Sequence, residues 1–117
     1  MTVTNFESIT YDLTAIEREY LPIMIEGFKK HIGKEKAIKA PDIIANLDKR
    51  KGIKLTEARL RKLVNYIRCT SSLPLIATSN GYYITDNKEE ILKECQSLQD
   101  RANAILGARE GLLKFTT

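Results

Sequence analysis

The sequence predicts a mostly helical α+β fold, and three patterns support this prediction. Apolar residues recur at every third or fourth position in several segments, which is the period of an amphipathic helix. Two β-prone segments flank Ser79-Asn80-Gly81, an arrangement typical of a hairpin. A further apolar pattern runs through residues 88–114 and predicts a long C-terminal helix.

Length and composition indicate an ordinary globular protein. A chain of 117 residues has the size of one domain with an appended element. Its hydrophobic content of 43% and charged content of 29% are typical of globular proteins. No apolar run approaches the roughly 20 residues of a membrane span, and MTVTNFESIT lacks the regions of a secretory signal. We therefore expect a cytoplasmic protein.

Few residues are suited to catalysis or metal binding. Cys69 and Cys95 lie far apart without C-x-x-C spacing, so we expect buried or half-buried reduced thiols. His31 is the single histidine and cannot build a histidine-based metal site. Motifs for nucleotide binding or an activated serine are missing. We expect no metal, no cofactor, no small-molecule ligand and no enzymatic activity.

The positive charge is concentrated in one part of the chain. Residues 29–68 hold 13 Lys or Arg against four acidic residues, a net charge of +9, whereas the remainder carries −5. Such a concentration favours a polyanionic partner, although a solvated basic surface is the alternative. The charge coincides with helical segments rather than a tail, and this favours nucleic acid.

The first helix is predicted from Leu13 to about Ile32. Thr14 and Glu17 match the capping box that begins a helix, with Asp12 as a rival cap. The preceding residues, 1–11, show no clear period and are assigned to an N-terminal arm, which is either loose or docked on the core.

Proline and glycine set the next predicted boundaries. Pro22 predicts a kink or break in the first helix, and Gly33 is predicted to end it. Residues 36–39 are predicted to form a short strand that pairs with the later hairpin. Pro41 fits the first position of a second helix, which Gly52 ends after a run of cations.

The third helix begins after Thr56, its predicted N-cap. A buried stripe is expected along one side: Leu60, Leu63, Val64 and Ile67. Small, cationic and amide side chains are predicted opposite this stripe, as a helix inserted into a DNA groove requires. The alternative is the polar half of an ordinary surface helix.

A β-hairpin follows this helix, with strands predicted at residues 73–78 and 81–85. Asn80-Gly81 indicates a type I′ turn, which requires positive φ at both central residues. We expect Tyr83 to pack on the core, while Tyr82 either covers the sheet or lies near a sugar-phosphate backbone. A polar-faced helix followed by such a hairpin favours a winged helix-turn-helix over residues 12–86.

The C-terminal helix, within residues 87–117, is predicted to begin at Asp86 or Asn87. Its apolar positions follow a heptad-like spacing: Ile91, Cys95, Leu98, Ala102, Ile105 and Leu112. This stripe either packs on the first helix of the same chain or pairs with a second copy. The length of the helix favours a homodimer.

Several segments resemble a family of small winged-helix proteins of bacteriophages and prophages, most of which are uncharacterised. They are GFKKHIGKEKAIKAPDI, ARLRKLVNYIR, LPLIATSNGYYITDNKEEI and SLQDRANAI, within residues 12–106. The resemblance implies the DNA-binding fold of phage regulators and replication accessory proteins in a bacterial host cell. It implies no particular ligand or catalytic residue.

These patterns predict a sequence-specific double-stranded DNA-binding protein, and the resemblance implies a role in phage transcription or replication. Base contacts are expected from Arg61, Lys62 and Asn65, and phosphate contacts from Arg59 and Arg68. The complete predicted DNA-contacting set is Lys51, Lys54, Thr56, Ala58, Arg59, Arg61, Lys62, Asn65, Tyr66, Arg68, Ser79, Asn80 and Tyr82. The alternative function is a winged-helix adaptor that binds proteins and not DNA.

Overall fold

A computed structural model describes residues 12–117, so the predicted N-terminal arm lies outside the described residues. The chain divides into two compact units, one ending at Thr85 and the other spanning Asp86–Thr117. The predicted α+β class, mostly helical with a long C-terminal helix, is confirmed.

In the described part of the first unit, from residue 12 onward, there are three helices and a hairpin. They are α1 (Ala15–Phe28), α2 (Ala40–Lys51), α3 (Glu57–Cys69), β1 (Leu75–Thr78) and β2 (Gly81–Ile84), with a 3₁₀ turn at Lys34–Lys36. The second unit holds α4 (Lys88–Leu113) and a 3₁₀ turn at Lys114–Thr116. None of the described helices is both long and apolar enough to cross a membrane.

The capping box at the start of α1 is confirmed. The N–H of Glu17 donates to Thr14 Oγ1 at 3.2 Å, and the N–H of Thr14 donates to Glu17 Oε1 at 2.9 Å. Of the predicted kink or break at Pro22, the break is wrong, because α1 continues through this residue. Side chains on both sides of Pro22, including Leu21 and Ile23, pack on the core, which offsets the lost hydrogen bond.

The segment between α1 and α2 follows the edge of the hairpin. The prediction that Gly33 ends α1 is wrong: the helix ends at Phe28, and the Gly33 N–H donates to Ile84 O at 2.9 Å. Instead of a strand over residues 36–39, a single bridge forms. In it, Ile38 and Tyr82 exchange hydrogen bonds of 2.9 and 2.8 Å.

The hairpin is confirmed, with slightly shorter strands than predicted. Leu75 pairs with Ile84, and Thr78 pairs with Gly81 across the turn. The predicted type I′ turn is wrong, since neither Ser79 nor Asn80 has a positive φ. The Thr78 side chain stabilises the turn through two hydrogen bonds. Its Oγ1 accepts from the Asn80 N–H at 3.1 Å and donates to Gly81 O at 3.3 Å.

The core is centred on α3. Its residues Leu60, Leu63 and Ile67 have no measurable exposure. The predicted burial of Tyr83 is confirmed, but adjacent strand residues point to opposite faces, and the ring that packs on this core is that of Tyr82. The Tyr82 ring is half-buried and contacts Phe28 edge-on, with 6.1 Å between ring centroids. The hairpin and α1 therefore share one hydrophobic interior with α3.

Gly81 is required by its surroundings as well as by its backbone. Its φ is +118°, and a Cβ there would lie 2.8 Å from Lys39 N and closer still to the Ile38 carbonyl. We predict that Gly81→Ala lowers the free energy of unfolding by roughly 2–4 kcal/mol, measured by urea denaturation.

Gly27→Ala is the matched control. Gly27 lies inside α1, and no atom lies within 4 Å of the position that a Cβ would occupy. Alanine there should stabilise the fold by about 0.5–1 kcal/mol. Equal effects of the two substitutions would contradict the close approach of Gly81 to Ile38.

Candidate nucleic-acid interface

Helix α3 begins and packs as the sequence predicts. Thr56 is the N-cap, and its Oγ1 accepts from the Arg59 N–H at 3.2 Å. The predicted stripe is buried along one side of the helix: Leu60, Leu63, Val64 and Ile67. The orientation of every other α3 side chain follows from this stripe.

A buried carboxylate from α1 holds two of the predicted DNA-contacting cations. Lys62 Nζ donates to Glu17 Oε1 at 2.6 Å, and Arg59 Nε donates to Glu17 Oε2 at 3.0 Å. Lys62 Nζ also donates to Asp12 O at 2.9 Å. We call Glu17, Arg59 and Lys62 the Glu17 cluster.

The Glu17 cluster changes the predicted role of Lys62. The Lys62 side chain is only 10% exposed, and its ammonium points to α1 instead of solvent. Arg59 keeps about a third of its side chain exposed but commits Nε to the same carboxylate. One flank of α3 is therefore covered by the start of α1, and the face available to a partner is narrower than expected.

The environment of Glu17 stabilises its charged form. Burial alone would raise the pKa of this carboxyl, since its side chain is only 4% exposed. Hydrogen bonds from Lys62, the Thr14 N–H and Arg59 outweigh burial and lower the pKa to about 2. Glu17 is thus ionised at neutral pH and pairs with both cations.

The other flank of α3 faces solvent. It carries Ala58, Arg61, Asn65 and Cys69, which we call the α3 outer face. These four positions lie within about 80° of one another at 100° per residue. Arg61 is 59% exposed and pairs with Glu57 at 3.3 Å, an exposed contact that a phosphate or base can replace. Asn65 is half-buried, and Ala58 and Cys69 are exposed.

Two predicted contact residues connect α3 to the rest of the fold. Arg68 Nε donates to Leu75 O at 2.9 Å, which joins the end of α3 to β1. Tyr66 is half-buried against the core. The Arg68 side chain therefore helps to position the hairpin beside α3.

The remaining predicted residues lie at the hairpin tip and around the end of α2. Ser79 and Asn80 are exposed at the turn. Lys51 is exposed in the last turn of α2, and Lys54 is exposed while it pairs with Asp48 at 2.7 Å. These groups supply polar and cationic surface without a fixed binding geometry.

The expected burial of the cysteine thiols is wrong. Cys69 and Cys95 are free and exposed, because Cys69 lies opposite the α3 stripe and α4 buries none of its side chains. Over residues 12–117, no group of three His, Cys, Asp or Glu side chains is arranged to hold a metal ion.

Sequence reasoning missed the long-range role of Glu17. Thr14 and Glu17 identified a helix cap, which explains only one of the three contacts of the carboxylate. Arg59 and Lys62 are one helical turn apart, a spacing that allows two cations to meet one target. Their common partner lies 42 positions from Arg59 and 45 from Lys62, so spacing could not assign it.

Comparison of the chain with protein-family models, curated proteins and solved structures returned no match. Inferences about function therefore depend on the geometry of the described residues.

Glu17→Gln tests the Glu17 cluster. Removing the charge leaves Lys62 buried without a counter-ion, so we predict a loss of roughly 3 kcal/mol in the free energy of unfolding at pH 7. Glu19→Gln, an exposed change on the same helix, should cost well under about 0.5 kcal/mol.

The lowered pKa of Glu17 also predicts a pH dependence. A depressed carboxyl pKa stabilises the fold above the ordinary value of 4.5, and this contribution is lost as pH falls towards about 2. Between pH 5 and pH 2, the parent protein should lose about 3 kcal/mol more stability than Glu17→Gln. Parallel pH profiles would contradict an ionised, buried Glu17.

Proposed function

We propose that the first unit is a winged helix-turn-helix that binds double-stranded DNA at specific sequences. The order of three helices and a hairpin supports this assignment. So does the Ile38–Tyr82 bridge, which adds the segment before α2 to the edge of the hairpin. In this proposal α3 enters the major groove, and the hairpin is the wing.

The observation that carries the proposal is the chemistry of the α3 outer face. Arg61 is mostly exposed, and its guanidinium has the geometry to bond guanine O6 and N7. Asn65 lies one turn further along the same face, and an asparagine amide can bond adenine N6 and N7. Ala58 and Cys69 are small, so the helix backbone can approach the base edges closely.

Electrostatics supports the same partner. The net charge of residues 29–68 is +9, and the Glu17 cluster neutralises only part of it. Exposed cations at the end of α2 and just after it would contact phosphates: Lys49, Arg50, Lys51 and Lys54. Ser79 and Asn80 at the wing tip would contact the adjacent backbone or minor groove.

Helix α4 supports a homodimer as the binding form. No α4 side chain is buried, and Ile105 and Leu112 are 56% and 69% exposed. The predicted stripe is Ile91, Cys95, Leu98, Ala102, Ile105 and Leu112. Heptad spacing allows a second copy of α4 to cover such a stripe. A dimer would bind two half-sites related by a two-fold axis.

The proposed role is that of a phage or prophage transcription regulator or replication accessory factor in the bacterial cytoplasm. Such binding needs no cofactor and no catalytic group. The exposed apolar stripe of α4 also fits a winged-helix adaptor that binds another protein. The two proposed functions differ in one testable property: the regulator binds DNA through the α3 outer face, and the adaptor does not.

Duplexes selected from a random library provide the test of DNA binding. Arg61→Ala should weaken binding of the selected site by about 1–3 kcal/mol, measured by fluorescence anisotropy. Arg18→Ala removes a charge from α1, outside the α3 outer face, and is the matched control. Binding of random duplex should show a salt slope near −3.6 for about four phosphate contacts.

Equal affinities of the parent protein and Arg61→Ala would contradict the proposal. Absence of any selected duplex, combined with a protein partner retained after DNase treatment, would favour the adaptor.

Ile105→Asp tests the homodimer. A charge within the apolar stripe should convert the dimer to a monomer at about 50 μM protein, measured by size-exclusion chromatography with light scattering. Ala104→Asp places the same charge outside the stripe, about 130° from its centre, and should leave the dimer intact. A monomeric parent protein would overturn the proposed pairing of α4.

A further inference from the structure

An apolar groove lies between α1 and α2, away from the α3 outer face. Its volume is about 470 Å³. Met24, Phe28 and Ile43 form a buried floor, and Ile23 and Leu47 form half-buried walls. This volume falls within the range of small-molecule sites, which are concave and mostly apolar.

A polar basin of about 570 Å³ adjoins the groove. The two spaces share Lys30, His31, Ile38 and Asn46 as lining residues. The basin adds Lys36 and one acidic residue, Asp42. A ligand that spans both spaces would therefore meet an apolar surface at one end and cations at the other.

Cations are in excess around this combined site. Within residues 12–117, Lys30, Lys36, Arg50 and Lys51 form no ion pair, whereas Glu26 is paired with Lys29 at 2.9 Å. Asp42 is the remaining acidic residue of the lining. The rim therefore attracts an anion, and the attraction exceeds that of a balanced surface.

His31 is oriented towards a hydrogen-bonding role at the junction. Its Nδ1 lies 2.9 Å from Lys36 O, and because a carbonyl oxygen only accepts, Nδ1 carries the proton. In the neutral ring Nε2 is then an acceptor, so the contacts to an anionic head come from the neighbouring lysine ammonium groups. The same hydrogen bond fixes the Lys36 backbone beside the ring, which brings imidazole and ammonium groups to one basin.

We propose that this site binds a small amphipathic anion, with its apolar body in the groove and a carboxylate or phosphate head in the basin. The apolar floor requires a hydrocarbon body, and the excess of cations requires a negative head. An uncharged hydrocarbon or an inorganic anion would satisfy only one half of the site. The groove shares Arg50 and Lys51 with the proposed phosphate contacts, so binding is tested on the protein alone, without DNA.

Isothermal titration of the full chain with hexanoate, octanoate and decanoate tests the groove. Affinity should rise about fourfold for each methylene that enters the apolar space. 1-Octanol and inorganic phosphate, the two halves of the proposed ligand, should each bind at least about tenfold more weakly than octanoate. Octyl phosphate distinguishes a phosphate head from a carboxylate head.

Variants locate the binding site. Lys30→Gln and Lys36→Gln should each weaken decanoate binding about tenfold, whereas Lys34→Gln, an exposed change outside the lining, should not. Gly27→Leu should abolish binding, because Gly27 lines the groove and the added side chain, which meets no protein atom there, would fill part of the space that the ligand needs. Leucine also favours a helix, so circular dichroism should show α1 retained.

Three outcomes would overturn the inference. They are no binding of decanoate at millimolar concentration, affinity independent of chain length, and equal effects of Lys34→Gln and Lys30→Gln. Failure of Gly27→Leu to fold would leave the lysine variants as the deciding measurement.

Discussion

The carboxylate of Glu17 joins the start of α1 to the middle of α3, and the orientation of the proposed DNA-binding helix depends on it. Hydrophobic burial of Leu60 and Ile67 packs α3 onto the core, but apolar contacts tolerate small rotations of a helix. Two charged hydrogen bonds to one buried carboxylate are more directional. A buried ion pair adds little net stability, yet the loss of one member is costly. Its main effect here is to select which flank of α3 is covered and which faces solvent.

A second set of contacts places the hairpin beside α3. Arg68 Nε bonds Leu75 O, and Gly81 lets the turn approach Ile38 closely enough for paired hydrogen bonds with Tyr82. These contacts are formed by backbone atoms or by a half-buried arginine, so the hairpin position does not depend on exposed side chains. The solvent-facing residues of α3 and of the turn can therefore differ between related sequences without disturbing the fold that carries them.

Features set by nearby residues were predictable from the sequence. The buried stripe of α3, the Thr56 cap and the hairpin location follow from periodicity and turn chemistry within a few positions. Features decided by distant partners were not. Core packing keeps α1 continuous through Pro22, and Glu17 holds the Lys62 ammonium away from the predicted contact face. The turn type is a local exception, because the Thr78 side chain bonds the Asn80 N–H and Gly81 O in place of the expected type I′ turn. The groove between α1 and α2 could not be predicted from the sequence either, because its lining comes from three separate segments.

The central claim is that DNA contacts the Arg61 flank of α3 and not the Glu17 flank. Nuclear magnetic resonance of arginine Nε–H groups tests it within one sample, because Arg59 and Arg61 lie on opposite flanks of the same helix. During titration with duplex DNA at low salt, the Arg61 signal should shift progressively while the Arg59 signal, held by Glu17, stays in place. A shift of Arg59 with an unchanged Arg61 signal, or no shift of either, would contradict the account.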